Sequence, residues 1–306
     1  MAGDRTRRSS APSASRRADP GGARARELAR GSADHYLDPL HYVATYRGRR
    51  EDVRYYHAHA RALGGPVLEY GCGAGRIALP LARVGLEVTG VDASAQMLGH
   101  FRQALAGEPR DVRARVRLRR GDMRGVRLAE RFPLVLCTFN SFLHLYTRRD
   151  VERFLARVAA HLAPGGTFVF DVSLPVAADL ARAPDDRHHA PRFRHGSTGE
   201  LVRYSERFDY DPLDQVLLVH MRFEPLDAGR GAPRGQRPRP PWETVLAHRQ
   251  FYPQELEALL HYNGFAITTV HGDFTLSPPT RDSGTLVYHC TRRRAGTRVR
   301  ARQTPM

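Results

Sequence analysis

The chain has 306 residues, of which 41% are hydrophobic and 26% are charged, and its formal net charge is +16. It contains no lysine, so all 48 basic residues are arginine, which excludes Schiff-base chemistry and the lysine-dependent phosphate loop. No apolar run approaches the length of a bilayer span and no apolar signal core opens the sequence, so we expect no membrane partner.

The positive charge is concentrated at the ends of the chain. Residues 1–30 hold eight arginines against three acidic residues, and residues 291–306 hold six arginines and no acid. Such arginine-, serine- and glycine-rich ends bury too little apolar surface to offset their ordering entropy. We therefore predict disordered basic tails over 1–31 and 292–306, flanking a domain over 32–291. This distribution argues against nucleic acid as the main partner, although binding through the ends is kept as an alternative.

The cysteines carry no recognisable motif. Cys72, Cys137 and Cys290 show neither the spacing of a disulfide framework nor that of a zinc site. With no H-E-x-x-H sequence and no paired-acid cluster, we predict a cytoplasmic protein without a bound metal.

The first ordered segment is aromatic and is interrupted by a proline. It runs from Asp34 to Tyr42, contains Tyr36 and is broken at Pro39. Two interpretations remain open, a clasp that packs on the domain and a lid that closes over a ligand. A helix over 49–63 follows.

A glycine-rich loop dominates the next stretch. A strand ending near Leu68 runs through Glu69 into Gly71, Gly73 and Gly75, and a helix over 76–84 follows. Glycine at every second position lets the backbone bend sharply and lets a ligand approach it, while the helix turns free N–H groups toward the loop. The G-x-G-x-G spacing differs from the G-x-G-x-x-G of dinucleotide enzymes. This difference disfavours an NAD-dependent oxidoreductase.

Two further strands end in carboxylates. The strand over 86–91 leads into Asp92, and the charged strand over 115–120, typical of a sheet edge, leads to Asp122 and Met123. An acid in the first position suits the two hydroxyls of a ribose. An acid in the second position could accept from an adenine amino group.

This succession of glycine loop and strand-end acids resembles the class I methyltransferases that use S-adenosylmethionine, over about residues 36–291. The resemblance implies an α/β, Rossmann-like fold with a seven-stranded, mostly parallel sheet whose last strand is antiparallel. It implies that the loop holds the methionine part of the cofactor, the first acid the ribose, and the second acid with its neighbour the adenine. The implied cofactor-binding residues are Glu69, Gly71, Cys72, Gly73, Asp92, Ala93, Asp122, Met123 and Phe139.

The middle of the chain continues the alternation of strands and helices. The nearly all-apolar run over 132–139 predicts a central parallel strand, followed by a helix over 150–162 and a strand over 167–172. Asn140 and His144 lie in the loop after the central strand. Polar residues follow the strands at one edge of the predicted sheet, where ligands bind in such folds. They are Glu69, Asp92, Asp122, Asn140 and Asp171.

The pattern changes to strict alternation after Val172. We predict an antiparallel cap insert over 190–252 with three strands and a flexible loop over 227–241. A sheet above the strand ends would roof the pocket, which suits a small-molecule acceptor. A helix over 253–262 and two strands then complete the domain.

Methyl transfer from a sulfonium requires in-line alignment, exclusion of water and, for some acceptors, removal of a proton. Asn140 could bind the acceptor and His144 could take its proton. The string Asn140-Ser141-Phe142-x-His144 resembles the loop of glycine N-methyltransferases, and the insert resembles that of aminosugar N-methyltransferases. Related enzymes close the pocket with a tyrosine-bearing segment, which assigns Tyr36 to the lid.

The resemblance departs from the glycine enzymes at one place, because an arginine expected after the fifth strand is replaced by Val172-Ser173-Leu174-Pro175. We therefore predict a methyltransferase acting on an amine nitrogen of a small metabolite other than glycine. O-methylation, modification of a nucleic acid and cofactor binding without catalysis remain alternatives.

Overall fold

The computed structural model describes residues 20–229, 231 and 235–293. The helices are α1 Pro20–Gly31, α2 Pro39–Tyr46, α3 Glu51–Leu63, α4 Ala78–Arg83, α5 Ala95–Ala106, α6 Arg110–Ala114, α7 Arg148–His161, α8 Ala177–Leu180 and α9 Pro253–Tyr262. The strands are β1 Val67–Tyr70, β2 Val88–Asp92, β3 Val116–Arg120, β4 Phe132–Cys137, β5 Leu162–Ser173, β6 His188–Arg194, β7 Leu201–Asp211, β8 Val216–Pro225, β9 Trp242–Arg249, β10 Phe265–Gly272 and β11 Thr285–Arg292. Short 3-10 helices span Asp34–Tyr36 and Ser141–His144.

Seven strands form the main sheet in the order β10-β11-β5-β4-β1-β2-β3. β11 runs antiparallel to both of its neighbours, whereas β5, β4, β1, β2 and β3 pair in parallel. The predicted mostly parallel sheet, its antiparallel last strand and the edge position of β3 are confirmed. Because parallel strands end at the same edge, the segments after β1, β2, β3 and β4 meet there.

Two apolar layers cover the faces of this sheet. Helices α3, α4 and α5 pack on one face through side chains that include Tyr56, Leu81 and Phe101. Helices α7 and α9 pack on the other through residues that include Phe154 and Leu256. Each such side chain, buried fully, contributes about 1.5–3 kcal/mol of transfer free energy, which fixes the helices against the sheet.

The insert forms a separate antiparallel sheet in the order β6-β7-β8-β9. The three predicted strands are confirmed, and β6 is an addition. Every residue of β6 is exposed or half-buried. The strand therefore lacks the alternation of apolar and polar residues by which a strand with one buried face is recognised in a sequence. The predicted flexible loop over 227–241 lies only partly within the described residues.

The predicted disordered tail over 1–31 is wrong for residues 20–31, which form α1. Leu28 packs against the apolar face of β8 and β9, and Arg24 pairs with Asp211 at 3.1 Å and Asp214 at 3.3 Å. Gly31 lies so close to β9 that an added Cβ would stand 2.5 Å from the Ala247 Cβ. The arginine content of this segment predicted a solvated tail, but acidic residues of the insert neutralise part of its positive charge.

At the other end, Arg292 completes β11 and the Arg293 N–H donates to the Gly264 carbonyl at 2.9 Å. The prediction of a disordered tail over 292–306 is therefore wrong for Arg292 and Arg293. Residues 1–19 and 294–306, which carry the rest of both predicted tails, lie outside the described residues. Among the helices that the structure does describe, none is long and apolar enough to cross a bilayer.

Candidate active site

A cavity lies at the edge of the sheet where β1, β2, β3 and β4 end. Its walls come from the glycine loop, the ends of β2 and β3, the turn after β4 and the N-terminal segment before α3. The residues that line it are Ser32, Tyr36, Tyr42, Gly71, Gly73, Val91, Asp92, Ala93, Ser94, Met97, Gly121, Asp122, Met123, Arg124, Phe139, Ser141, His144 and Tyr146.

The glycine loop leaves no room for side chains. Gly71 and Gly73 have φ angles of 68° and 52°, in the left-handed region that glycine tolerates best. A Cβ added to Gly71 would stand 2.3 Å from the Ser141 Oγ, and one added to Gly75 would stand 2.4 Å from the Phe101 ring. Bare backbone therefore forms this wall of the cavity, as a closely approaching ligand requires.

Asp92 joins the end of β2 to the glycine loop. Its carboxylate accepts from the Gly73 N–H at 2.8 Å and from the Ser94 N–H at 2.7 Å. Burial raises the pKa of this carboxyl, while the backbone N–H groups favour its charged form. Asp92 also lines the cavity, so its remaining lone pairs can accept from a ligand's hydroxyl groups.

Glu69 lies beneath the loop and does not line the cavity. Its side chain is buried, and Oε1 accepts from the Thr138 hydroxyl at 2.9 Å. Oε2 is buried without a hydrogen-bond partner, and burial raises the pKa of this carboxyl to about 8. At neutral pH this carboxyl therefore holds a proton in the folded protein, and its Oε2 lies close to the loop without a hydrogen-bond partner.

Cys72 faces away from the cavity. Its thiol is buried against β2, where a Cβ added to Gly90 would stand 2.7 Å from the Cys72 Sγ. Its N–H donates to the Val91 carbonyl at 3.1 Å. The side chain of Cys72 thus packs on β2, and its assignment to cofactor binding stays a prediction.

Asp122 and Met123, which the sequence assigned to cofactor binding, line the cavity, and Asp122 has a partner that the sequence did not reveal. The Arg124 Nε donates to both Asp122 oxygens at 3.0 Å, and the Arg124 Nη1 reaches Asp150 at 2.7 Å. Hydrogen bonds from Arg124 lower the pKa of the Asp122 carboxyl, which is therefore ionised at neutral pH. Arg124 also lines the cavity, and its position two residues after the acid was the available signal.

The turn after β4 is held by a buried carboxylate. Phe139 and Asn140 have φ angles of 55° and 63°, which residues other than glycine rarely adopt. Asp171 accepts from the Phe139 N–H at 2.7 Å, the Asn140 N–H at 3.0 Å and the Tyr56 hydroxyl at 2.5 Å. These three bonds support a strained turn that places the Phe139 ring in the cavity wall.

Asn140 itself is not brought into the cavity. Its Nδ2 donates to the Ser173 hydroxyl at 2.9 Å, and its Oδ1 accepts from the Ser173 N–H at 2.7 Å. Both polar atoms of its amide are engaged by Ser173, and the contact of Asn140 with the acceptor stays a prediction. Its amide instead ties the turn after β4 to the end of β5.

Tyr36, His144 and Tyr146 form a hydrogen-bonded row along the cavity. The His144 Nε2 lies 2.7 Å from the Tyr36 hydroxyl, and its Nδ1 lies 3.1 Å from the Tyr146 hydroxyl. Tyr146 donates its proton to the Ala247 carbonyl at 3.2 Å, so its oxygen accepts from an Nδ1–H of His144. Nε2 is then the acceptor, and Tyr36 donates to it. Burial lowers the pKa of His144 to about 4, so the ring is neutral at pH 7.

The N-terminal segment covers the cavity through further aromatic residues. Tyr42 lines the cavity, and the Tyr46 ring lies 5.0 Å from the Phe139 ring in an edge-on arrangement. The His41 Nδ1 accepts from the Gly196 N–H at 3.2 Å, which joins this segment to the insert. Sequence reasoning selected Tyr36 and missed two other tyrosines of the cavity, Tyr42, which ends the aromatic segment that it noted, and Tyr146, which lies two residues after His144.

Comparison with known proteins agrees with this geometry. Residues 67–166 match a family model described as a methyltransferase domain. The chain is 34% identical over 205 residues to the ubiquinone biosynthesis O-methyltransferase of Nitrobacter winogradskyi, covering 61% of this chain and 75% of that enzyme. It is 32% identical over 140 residues to the dTDP-3-amino-3,6-dideoxy-alpha-D-glucopyranose N,N-dimethyltransferase of Streptomyces fradiae, covering 42% of this chain and 51% of that enzyme.

A solved structure shares the fold. CalS10 of Micromonospora echinaspora, an amino pentose methyltransferase of calicheamicin biosynthesis determined with S-adenosylmethionine bound, superposes with a TM-score of 0.61 at 25% identity. The match covers 82% of this chain and 96% of CalS10. Sheet, glycine loop and cavity thus define a class I methyltransferase fold. The chain belongs to the S-adenosylmethionine-dependent methyltransferases, and it is an enzyme that uses this cofactor.

Proposed function

We propose that this enzyme methylates an amine nitrogen of a small metabolite. The observation that carries the proposal is the neutral, weakly basic His144 joined to Tyr36 at the cavity wall. An amine that enters unprotonated attacks through its own lone pair and needs no strong base, whereas an alcohol must lose its proton during the reaction. An imidazole whose pKa lies near 4 is a poor base for removing the proton of a hydroxyl group, whereas an unprotonated amine can react without such a base.

Tyr36 is then the group that orients the acceptor. Because its proton is donated to the His144 Nε2, its oxygen presents lone pairs to the cavity. A hydrogen bond from the acceptor N–H to this oxygen would turn the nitrogen lone pair toward the reacting methyl group. Holding the two partners in line can contribute about 7–11 kcal/mol in favourable cases.

The cofactor would occupy the part of the cavity formed by the glycine loop and the two strand ends. When bound, S-adenosylmethionine supplies an electrophilic methyl group on a sulfonium. We assign its amino-acid part to the backbone of Gly71 and Gly73, with the unsatisfied Glu69 beneath them. Asp92 would accept from the ribose hydroxyls, and Asp122 with Met123 would border the adenine.

The insert and the N-terminal segment limit the size of the acceptor. Tyr146 is bonded to β9 through the Ala247 carbonyl, and the His144 and His248 rings lie 5.0 Å apart. These contacts hold the insert against the row of Tyr36, His144 and Tyr146, which supports its role as a roof over the acceptor. A roof of this kind excludes water and a nucleic-acid duplex. It supports a small acceptor, and the aminosugar relative supports an amino sugar as the first to be tested.

O-methylation is the second candidate, because the relative with the higher identity of the two, 34%, is an O-methyltransferase.

The three described cysteines are free and buried, which supports a reducing cytoplasm as the place of action.

The test is a transfer assay with labelled cofactor against matched amines and alcohols on the same small scaffolds. We expect methylation of the amines, and a preference for the alcohols would overturn the proposal. Tyr36→Phe should lower kcat about 10- to 100-fold, because the acceptor loses its orienting hydrogen bond, and should leave the affinity for S-adenosylhomocysteine unchanged. Tyr42→Phe is the matched control, since Tyr42 lines the same cavity outside the row. Equal loss of kcat in both variants would contradict the role of Tyr36.

A further inference from the structure

A cluster of three histidines lies on the sheet face that carries α3, outside the cavity described above. His59 comes from α3, His271 from β10 and His289 from β11. Each offers one ring nitrogen, and the three nitrogens lie within 4.8 Å of one another. His289 is buried and the other two are half-buried, so the cluster is open to small ions from one side.

The register of the sheet explains why the rings meet. Thr269 pairs with His289 and His271 pairs with Val287, so both histidines project from the same face of neighbouring strands. Tyr55 and His59 are four residues apart on α3 and therefore share one side of the helix. Helix α3 packs on this face through Tyr55, which brings His59 over the two strands.

The ring positions match those of a tri-histidine metal site. The ring centroids of His59 and His289 are 4.7 Å apart, those of His271 and His289 are 5.3 Å apart, and those of His59 and His271 are 6.1 Å apart. Three imidazoles bound tetrahedrally through Zn–N bonds of about 2.0–2.1 Å have centroids about 5 Å apart and nitrogens about 3.4 Å apart. The rings therefore need to move by roughly an ångström to close on an ion.

Hydrogen bonds already orient the histidine rings whose nitrogens would bind the metal. The His59 Nδ1 donates to the Tyr55 carbonyl at 2.9 Å, because a carbonyl only accepts, and this leaves the lone pair on Nε2. Histidine ligands of metals commonly make this kind of bond through their second nitrogen. The Tyr55 hydroxyl lies 2.7 Å from the His271 Nδ1 and 2.6 Å from the His289 Nε2.

The Tyr55 hydroxyl cannot satisfy both strand histidines as a donor. Its single proton goes to one ring, and the other ring must donate to it and keep a lone pair on its second nitrogen. Neutral imidazole is the form that binds a metal. A tautomer shift in which both strand histidines donate to the Tyr55 oxygen, with the Tyr55 proton turned away from them, would leave a lone pair on the second nitrogen of each ring.

We propose that His59, His271 and His289 bind one divalent transition-metal ion of the zinc class, with Tyr55 as the hydrogen-bond partner of the two strand ligands. A set of three imidazole nitrogens suits zinc, cobalt, nickel or copper rather than magnesium or calcium. The histidines are far apart in the chain, so no local spacing could signal them. The expectation of no metal, drawn from the sequence, considered only local motifs.

The ion would fasten α3 to the β10–β11 edge rather than take part in methyl transfer. The same helix carries Asp52, which pairs with Arg76 beside the glycine loop, and Tyr56, which bonds to Asp171. Occupancy should therefore raise the thermal stability of the domain, and it should leave kcat unchanged because none of the three histidines lines the cavity.

The test uses the full chain without a polyhistidine tag, dialysed against chelator and titrated with Co²⁺ as a spectroscopic probe and with Zn²⁺ in a calorimeter. We expect one equivalent of Co²⁺ with visible d–d absorption, a rise in Tm with Zn²⁺, and at least about 100-fold weaker binding in His59→Gln and His271→Gln. Tyr55→Phe should weaken binding by about 10- to 100-fold. His57→Gln is the matched control, because residues two apart on a helix face different directions.

Equal binding by wild type, His59→Gln and His57→Gln would overturn the proposal, as would absence of Co²⁺ absorption in the wild type. A Co²⁺–thiolate charge-transfer band would also overturn it, because it would show that a cysteine is the ligand. His59 is half-buried at the helix surface, so His59→Gln tests the site even if the strand variants fold poorly. Circular dichroism of each variant checks that the fold is retained.

Discussion

The carboxylate of Asp171 offers the sharpest test of how the cavity wall is built. It accepts from the Phe139 N–H, the Asn140 N–H and the Tyr56 hydroxyl, and two of these bonds hold residues with positive φ. Asp171→Asn keeps the shape of the side chain and exchanges one acceptor oxygen for an NH₂ group. The Asp171 Oδ1 accepts two of the three bonds, so the amide oxygen of the new asparagine should take the place of Oδ1. Its NH₂ group should then face the Asn140 N–H.

The expected cost follows from these bonds. One buried N–H loses its acceptor, which costs about 1–3 kcal/mol, and two charge-assisted bonds become neutral ones, at about 0.5–1 kcal/mol each. Relief of burying a charge offsets part of this, because burial already raises the pKa of the Asp171 carboxyl. We expect a net loss of about 2–4 kcal/mol in the free energy of unfolding.

The second consequence concerns the cofactor. A left-handed conformation costs about 1–2 kcal/mol per residue, so the turn should relax once a restraining bond is lost and Phe139 should leave the wall. Urea unfolding measures the stability, and calorimetric titration with S-adenosylhomocysteine measures the affinity, which should fall at least about 10-fold.

Tyr56→Phe is the matched control. It removes one donor from Asp171 and leaves both N–H bonds in place, so we expect a loss of about 1–2 kcal/mol in stability and an unchanged affinity. If Tyr56→Phe weakens cofactor binding as much as Asp171→Asn does, the carboxylate does not act through the turn. If Asp171→Asn binds normally, the strain argument is refuted.

Three further predictions concern the loop, its buried acid and α1. Burial raises the pKa of Glu69 from near 4.5 to about 8, so the folded protein holds a proton that the unfolded chain releases, and stability should fall as the pH rises through this range. Glu69→Gln should remove that slope in urea unfolding, and an identical slope would refute the assignment. Gly71→Ala should weaken binding of S-adenosylhomocysteine at least about 10-fold, through a clash with Ser141, while Gly99→Ala, on an open face of α5, should bind as the wild type does. Gly31→Ala should lower the free energy of unfolding by about 1–3 kcal/mol because α1 can no longer dock on β9; an equal effect of Gly48→Ala, which has open space, would count against this docking.

Local chemistry in the sequence was enough to locate the cofactor region. Gly71 and Gly73 must adopt left-handed backbone, and Asp92 and Asp122 must follow strands, whatever the rest of the chain does. These requirements concern a few neighbouring residues, so they are visible as spacing. The alternating strands and helices of the α/β sheet and the cap insert were predicted from periodicity, because periodicity reports which side of a strand or helix is buried. The antiparallel last strand was implied by the resemblance to class I methyltransferases.

Tertiary structure alone decided which polar side chains enter the cavity. Cys72 sits in the predicted loop yet packs on β2, and Asn140 follows the predicted strand yet binds Ser173. Position along a strand fixes where a residue lies but not which neighbour competes for its hydrogen bonds. Those neighbours come from segments distant in the chain.

The same reason applies to the features that the sequence concealed. Helix α1 is polar in composition, and it becomes ordered only because Leu28 and Arg24 meet partners on the insert. His59 and His289 acquire a common neighbour only when α3 packs across two strands. Spacing along the chain determined the class of enzyme, whereas contacts between distant segments determined the details of its site, since burial and pairing exist only after the chain has folded.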